Sequence, residues 1–228
     1  MRTFVMGDIH GAYKALEQCL ARAPFDPAVD RLIVLGDVCD VFPQVKACID
    51  KLLTLKQCDF ILGNHDLWTL DWATTGLKPE MWLEQGGAAT IASYNGGPMP
   101  SAHLDFLSRA IPFLELDGMA FVHAGFDPRS PLKEQSLRRL TWDRELLGLA
   151  RAQGTGQIGI YKEIFLGHTP TTRFGSAVPL QLCNIWAMDT GAGWSGKLSI
   201  MDVASKEYWQ SDATSVLYGM EGRGREND

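Results

Sequence analysis

Five short apolar segments, each followed at once by a loop with potential metal ligands, constrain this chain more than any other feature. Residues with helical spacing separate the first segments, as in AYKALEQCLARA at 12–23. Strands that alternate with helices predict a layered α/β fold, and ligands of such folds bind beyond the carboxyl ends of the strands. The segments are RTFVM at 2–6, RLIVL at 31–35, DFIL at 59–62, MAFV at 119–122 and EIFL at 163–166.

Three other regions differ from this strand and helix pattern. Residues 76–110 contain two Gly-Gly pairs and several prolines, and they predict a small helical insertion, here called the cap. Residues 136–152 predict a largely helical segment, and residues 184–212 alternate in the manner of antiparallel strands joined by Gly-rich turns. We therefore expect a single domain over residues 1–212 and a polar tail at 213–228.

Composition limits the classes of partner. The chain has 228 residues, of which 46% are hydrophobic, and a formal net charge of -6. This acidic balance argues against nucleic acid as the main partner, because such binding depends on clustered Lys and Arg. No stretch reaches the ~18 apolar residues of a membrane-spanning helix, and the start lacks an apolar run of signal-peptide length. The five cysteines show no Cys-x-x-Cys spacing, so a reducing cytoplasm is the expected compartment.

The loops after the five segments carry carboxylate, imidazole and amide groups. Taken singly, each has a structural explanation: a helix cap, an Asx-type turn or a hydrogen-bonded histidine at a strand end. Together, at the same end of successive strands, these groups indicate a site for divalent metal ions. The residues are Asp8 and His10, Asp37 and Asp40, Asn64, His65 and Asp66, His123, and His168.

Five ordered motifs resemble the signature of the calcineurin-like metallophosphoesterases. They are most similar to the bacterial and phage phosphoprotein phosphatases, with symmetrical diadenosine tetraphosphate hydrolases as near relatives. The resemblance spans residues 4 to about 200. It implies a four-layer α/β sandwich of two mixed β-sheets flanked by helices. It also implies two divalent ions, with manganese as the expected metal and iron or zinc as alternatives. The motifs are GDIHG at 7–11, GDVCD at 36–40, GNHD at 63–66, VHAG at 122–125 and GHTP at 167–170.

The resemblance also implies a role for each site residue. A hydroxide held between the two ions would attack the phosphorus of a phosphate ester. His65 would be the general acid for the leaving alkoxide, and Asp40 the carboxylate that orients His65 and keeps it protonated. The implied metal ligands are Asp8 and His10 for one ion, Asn64, His123 and His168 for the other, and Asp37 as the bridge.

Substrate binding is the least determined part of the resemblance. The segment TWDRE at 141–145 makes Arg144 the expected donor to phosphate oxygens, beside Asn64, although an Arg on a solvated helix face is the alternative. Protein phosphatases of this family carry Arg and Gly after the second aspartate of GDVCD, whereas this chain has Val41 and Phe42. Either a basic residue of the cap substitutes, or the substrate differs from a protein phosphomonoester.

Three functions follow from these expectations. The first is hydrolysis of phosphomonoesters of the serine/threonine-phosphatase type, and the second is hydrolysis of a dinucleoside polyphosphate or another nucleotide phosphoanhydride. Pro170 favours a phosphatase-type site, because many phosphodiesterases of the superfamily carry a second His there. A non-catalytic binding module is a third, minor alternative.

The expected partners are phosphorylated small molecules, nucleotides or phosphoproteins, and no membrane is expected among them. The sequence leaves the oligomeric state open.

Three further features receive structural interpretations. Trp68, Trp72 and Trp82 around the cap favour packing over stacking on a nucleobase. Asp66 caps the helix that follows GNH. The Gly-rich residues 189–198 lack the Walker spacing and predict turns after a strand.

Overall fold

Two five-stranded sheets form the centre of the computed structural model, which describes residues 1–219. In the first sheet three strands are parallel and two antiparallel strands extend one side, in the order β10-β9-β1-β2-β3. This arrangement places the ends of three successive parallel strands at one edge. The strands are β1 (Thr3–Met6), β2 (Arg31–Val34), β3 (Cys58–Phe60), β9 (Ser199–Asp202) and β10 (Tyr208–Gln210).

The second sheet is also mixed. Its order is β4-β5-β6-β8-β7, with β5, β6 and β8 parallel and an antiparallel strand at each edge. We predicted that residues 184–212 pair antiparallel; β8 pairs so with β7 but is parallel to β6, and β9 lies in the other sheet. The strands are β4 (Phe113–Leu116), β5 (Met119–Val122), β6 (Glu163–Leu166), β7 (Leu180–Leu182) and β8 (Ile185–Ala187).

Alternation of side chains along the strands produces separate cores. One face of each sheet contributes to a core between the sheets, where Val5 and Ile33 of the first sheet pack with Phe121 and Phe165 of the second. The rings of Phe121 and Phe165 stack at 4.8 Å. The opposite faces pack against helices in two further cores. The predicted four-layer α/β sandwich with two mixed sheets is confirmed.

Helices cover both outer faces. No helix within residues 1–219 is long and apolar enough to cross a membrane. The helices are α1 (Tyr13–Arg22), α2 (Val45–Leu53), α3 (Asn64–Thr75), α4 (Glu80–Trp82), α5 (Ala88–Ser93), α6 (Ser101–Ser108), α7 (Leu137–Trp142), α8 (Glu145–Gln153) and α9 (Thr214–Tyr218).

Two regions add detail to the predictions. The cap contains α4, a wide helical turn at Leu83–Gly87, α5 and α6. The segment 136–152 is helical except at Ser136, which caps α7, and at Asp143 and Arg144. The backbone of Asp143 is extended and its carboxylate accepts the N–H of Leu146, so α7 ends and α8 begins there.

The predicted polar tail begins with an ordered helix. Within α9, the ring of Tyr218 stacks on buried Phe42 with 4.5 Å between the ring centres. The hydroxyl of Tyr218 donates to the side chain of Gln44 and accepts the N–H of Lys14. Residues 220–228 lie outside the part of the chain that the structure describes.

A buried carboxylate, Asp30, joins the first residues of the chain to the start of β2. It accepts the backbone N–H of Arg2 at 2.8 Å, the guanidinium of Arg2 at 2.7 Å and the N–H of Asp26 at 3.0 Å. Burial opposes ionisation, but these hydrogen bonds outweigh burial and lower the pKa of Asp30 from 3.8 to about 2.

We expect Asp30→Asn to reduce the free energy of unfolding by about 2 kcal/mol at pH 7. The stabilisation is complete above the unfolded-state pKa of 3.8 and is lost as the pH falls toward about 2. The difference between wild type and variant should therefore shrink below pH 4.5. Urea unfolding of both proteins at intervals between pH 7 and pH 3 measures it. A difference that stayed constant over this range would contradict the role assigned to the carboxylate.

Candidate active site

Loops from both sheets meet at one edge of the sandwich. Asp8 and His10 follow β1, Asp37 follows β2, His123 follows β5 and His168 follows β6. Since these strands are parallel within each sheet, their carboxyl ends present the loops on the same side. The structure brings together the residues predicted for metal binding, proton donation and phosphate binding, which are Asp8, His10, Asp37, Asp40, Asn64, His65, His123, His168 and Arg144.

Asp37 lies at the centre of the group. Its Oδ2 is 3.7 Å from Nε2 of His10 and 3.5 Å from Nε2 of His123. Within residues 1–219, potential ligand atoms form two clusters, each with all atoms within 4.8 Å of one another, and Asp37 belongs to both. One carboxylate therefore faces two adjacent candidate cation sites. The clusters are Asp8, His10 and Asp37, and Asp37, His123 and His168.

Backbone carbonyls select the imidazole tautomers. Nδ1 of His10 lies 3.0 Å from the carbonyl of Cys39, and Nδ1 of His123 lies 2.7 Å from the carbonyl of Leu35. Because a carbonyl only accepts, Nδ1 carries the proton in each ring and Nε2 directs a lone pair into the site. Burial lowers the pKa of His123 to about 4, so this ring is neutral at pH 7.

The donor set fits divalent cations. Nε2 of His123 lies 3.0 Å from the side-chain oxygen of Asn64 and also faces Asp37. With the His123 proton on Nδ1, this arrangement brings acceptor atoms together, which a bound cation stabilises. Imidazole, carboxylate and amide oxygen suit borderline and hard divalent ions.

Left-handed backbone recurs in these loops. His10, Asp37, Asp40, Val41 and His168 have φ between 50° and 72°. This conformation costs an L-residue about 1–2 kcal/mol, and it is tolerated because local hydrogen bonds hold it. The N–H of His168, for example, donates to the carboxylate of Asp8 at 2.9 Å. Backbone strain thus accumulates where the ligand side chains converge.

Asp66 does more than cap α3. Besides the N–H of Gly63 at 3.1 Å, its carboxylate accepts the N–H groups of Asp37 at 2.7 Å and Val38 at 3.0 Å. A Cβ at Gly63 would overlap the carboxylate of Asp37, so only glycine permits this close approach. Asp66 thereby fixes the loop that carries Asp37. The predicted cap is correct but incomplete.

His65 is held by a chain of hydrogen bonds beside the clusters. Its Nδ1 lies 2.7 Å from Oδ2 of Asp40, and the same oxygen accepts Nε1–H of Trp82 at 2.8 Å. The other oxygen of Asp40 accepts the hydroxyl of Thr90 at 2.6 Å. All four side chains are buried. Two of them belong to the cap, so the packing role predicted for Trp82 omitted its bond to Asp40.

Comparison with known proteins assigns the family. The sequence pattern described as calcineurin-like phosphoesterase matches residues 1–194. The chain belongs to this family. It is therefore a hydrolase of phosphoric esters, and its two clusters are candidate ligands for the binuclear divalent metal centre of calcineurin-like phosphoesterases.

Two relatives with different named activities are similar to this calcineurin-like phosphoesterase over most of its length. The serine/threonine-protein phosphatase 1 of Salmonella typhimurium is 29% identical, over 86% of this chain and 89% of the relative. The symmetrical bis(5'-nucleosyl)-tetraphosphatase of Pseudomonas fluorescens is 27% identical, over 95% of this chain and 96% of the relative.

Solved structures support the same fold. One described as a candidate diadenosine tetraphosphatase has a TM-score of 0.72 at 19% identity, and the match covers 97% of this chain and 93% of that one. A cold-active protein-tyrosine phosphatase from a Shewanella species has a TM-score of 0.60 at 14% identity, with 92% and 80% covered. At these identities the likeness concerns the fold alone.

The opening of the site contains residues that the motifs did not indicate. The break between α7 and α8 brings the exposed side chain of Arg144 to the pocket that Asn64, His65 and His168 also line. Arg144 is the one Lys or Arg in the described lining of this pocket. From the cap, the described lining contains Gln85 and no Lys or Arg. Further lining residues are Pro170 of the GHTP motif and, outside the five motifs, Gln85, Trp142, Asp189 and Trp194.

Proposed function

We propose that this phosphohydrolase acts on phosphomonoesters, with phosphorylated serine or threonine side chains as the substrate class. The observation that carries this proposal is the His65–Asp40 pair beside two ligand clusters that share Asp37. When bound, two divalent ions, for which manganese is the expected metal, would supply an activated water and positive charge opposite the phosphoryl oxygens. The proposed ligands are Asp8 and His10 for one ion, Asn64, His123 and His168 for the other, and Asp37 for both.

Side chains around the ions have separate tasks in the proposed reaction. The guanidinium of Arg144 and the amide of Asn64 bind phosphoryl oxygens and orient the ester. The carboxylate of Asp40 accepts a hydrogen bond from Nδ1–H of His65 and stabilises the protonated ring. Nε2–H on the opposite side of the ring then donates its proton to the departing oxygen. Asp66 keeps the loop of Asp37 in place while charge develops.

A second candidate is hydrolysis of a dinucleoside polyphosphate. Two observations favour it: the relative from Pseudomonas fluorescens carries that activity in its name, and Val41 stands where a phosphate-binding Arg is expected. Trp142 and Trp194 at the opening offer aromatic surfaces on which a nucleobase can stack.

A substrate panel distinguishes the two candidates. Protein stripped of metal and reloaded with manganese is assayed with a phosphoserine peptide, an aryl phosphate and diadenosine tetraphosphate. We expect activity to disappear with chelator and to return with manganese, and kcat/KM to be at least about 10-fold higher for the peptide than for the dinucleotide. The opposite ratio would establish the second candidate, and no metal-dependent turnover would refute both.

A further inference from the structure

A short segment of the cap is fixed against the loop that carries Asp40. At its start, Trp82 donates Nε1–H to the carboxylate of Asp40 at 2.8 Å. Four residues later, the carbonyl of Gly86 accepts the N–H of Val41 at 3.1 Å. The wide turn Leu83–Gly87 is therefore tied at both ends to consecutive residues, 40 and 41, at the edge of the site.

The Gly-Gly pair makes this approach sterically feasible. Gly86 has φ of 108°, and a Cβ there would lie 2.5 Å from the backbone nitrogen of Val41. A Cβ at Gly87 would overlap the indole of Trp82. Any other residue at these positions would push the turn away from Asp40 and Val41. The two glycines thus allow the turn to contact this loop, and the helical backbone is interrupted there.

This arrangement directs Gln85 into the site. Gln85 leaves helical geometry, with φ of -89° and ψ of 15°, and lines the pocket together with Asn64, His65 and Arg144. Its side chain is half-buried, and its amide forms no hydrogen bond with any residue that the structure describes. A polar group held at the opening of a pocket without an internal bond is available to a ligand.

Val41 stands where the family's pattern places a phosphate-binding Arg, so a phosphate in this pocket would need another donor. Val41 has φ of 72°, unusual for a β-branched residue, and its side chain packs beneath Gly86. The turn therefore lies directly against residue 41, the position at which the family's pattern places an Arg. A neutral amide from the cap is present beside the site where the family's pattern leads us to expect a cation.

We propose that Gln85 is a substrate-binding residue whose amide N–H donates to a phosphoryl oxygen, and that its neutrality sets the preference among phosphate substrates. The inference rests on the proposed phosphohydrolase function. A neutral donor contributes less than a cation to the binding of a dianionic monoester. This difference is smaller for a phosphate of lower charge, such as an internal phosphate of an anhydride. Gln85 thus moderates the preference for monoesters over anhydrides.

Substitutions of Gln85 test this assignment in the manganese-loaded enzyme. We expect Gln85→Ala to lower kcat/KM for an aryl phosphate about 10-fold and to weaken competitive inhibition by inorganic phosphate by a similar factor. Gln85→Arg should raise the ratio of monoester to diadenosine tetraphosphate hydrolysis about 10-fold. The control is Glu84→Ala, an exposed residue of the same turn outside the described pocket lining, which should stay within twofold of wild type.

Several outcomes overturn the inference without touching the proposed function. If Gln85→Ala binds the full complement of metal, melts at the wild-type temperature and keeps both constants within twofold, the assignment is wrong. If the Ala variant does not fold, Gln85→Glu replaces it in the test, because Glu has nearly the same size as Gln. Unchanged inhibition by inorganic phosphate in Gln85→Glu would also refute the assignment. If wild type hydrolyses none of these esters, the proposed function fails, and the thermal shift caused by inorganic phosphate then decides on Gln85 alone.

Discussion

Replacing Asp37 with Asn is expected to lower metal-dependent phosphate release about 1,000-fold. The reason is the position of Oδ2, which lies 3.7 Å from Nε2 of His10 and 3.5 Å from Nε2 of His123. A neutral amide there keeps the size of the side chain but removes the negative charge that the two proposed cations would share. We therefore expect metal content to fall from two ions to one or fewer per chain.

Stability separates this loss from misfolding. In the metal-free protein Asp37 is a buried anion next to the carboxylate of Asp66, so its neutralisation removes repulsion. Metal-free Asp37→Asn should melt at or above the temperature of metal-free wild type, while the rise in melting temperature on addition of manganese should be much smaller. Elemental analysis and thermal unfolding with and without manganese measure both quantities.

The matched control is the same chemical change at the far end of the second sheet. Asp117 is exposed in the turn before β5, whereas the site lies beyond the other end of that strand. Asp117→Asn should retain wild-type activity and metal content, because Asn tolerates the φ of 51° found there. Full activity and two bound ions in Asp37→Asn would exclude this carboxylate as the shared ligand.

The arrangement of the ligand loops could be predicted from the sequence because it depends on local patterns. Apolar runs identify β1, β2, β5 and β6, and parallel pairing places their following residues on one side. Asp8 and Asp37 are grouped by this rule alone, because their strands pair in one sheet. The two mixed sheets, and the position of His123 beside the ligands of the other sheet, were expected only from the resemblance, because pairing within a sheet does not determine how two sheets pack.

The groups that support these ligands could not be predicted in this way. Asp66 binds N–H groups 28 and 29 residues away, and Trp82 and Thr90 reach Asp40 over 42 and 50 residues. Such contacts depend on how the cap packs, which no spacing or propensity records. The break at Asp143 was hidden by helix-forming neighbours, since one side-chain hydrogen bond outweighs their propensity.

His65→Ala should lower turnover of a phosphoserine peptide about 1,000-fold but turnover of an activated aryl phosphate less than about 10-fold. An alkoxide leaves only when it receives a proton, whereas a stabilised phenolate departs without one. The decrease in turnover caused by loss of a general acid therefore depends on the leaving group. Loss of metal or of folding would reduce both reactions equally.

In the proposed reaction Asp40 acts through His65, so removal of the Asp40 carboxylate should lower activity only while His65 is present. We expect Asp40→Asn to reduce peptide turnover about 100-fold, and Trp82→Phe, which removes one donor to Asp40, about 10-fold. In the double variant His65→Ala with Asp40→Asn, activity should equal that of His65→Ala alone.

Steady-state kinetics of these variants on both substrates, with metal content measured for each, give the required comparison. The exposed Glu84→Ala is again a suitable control from the cap. Equal losses on the peptide and the aryl phosphate, with two ions still bound, would show that His65 is not the proton donor. Additive losses in the double variant would show that Asp40 contributes independently of His65, because a carboxylate that only positions the imidazole has no effect once the imidazole is gone.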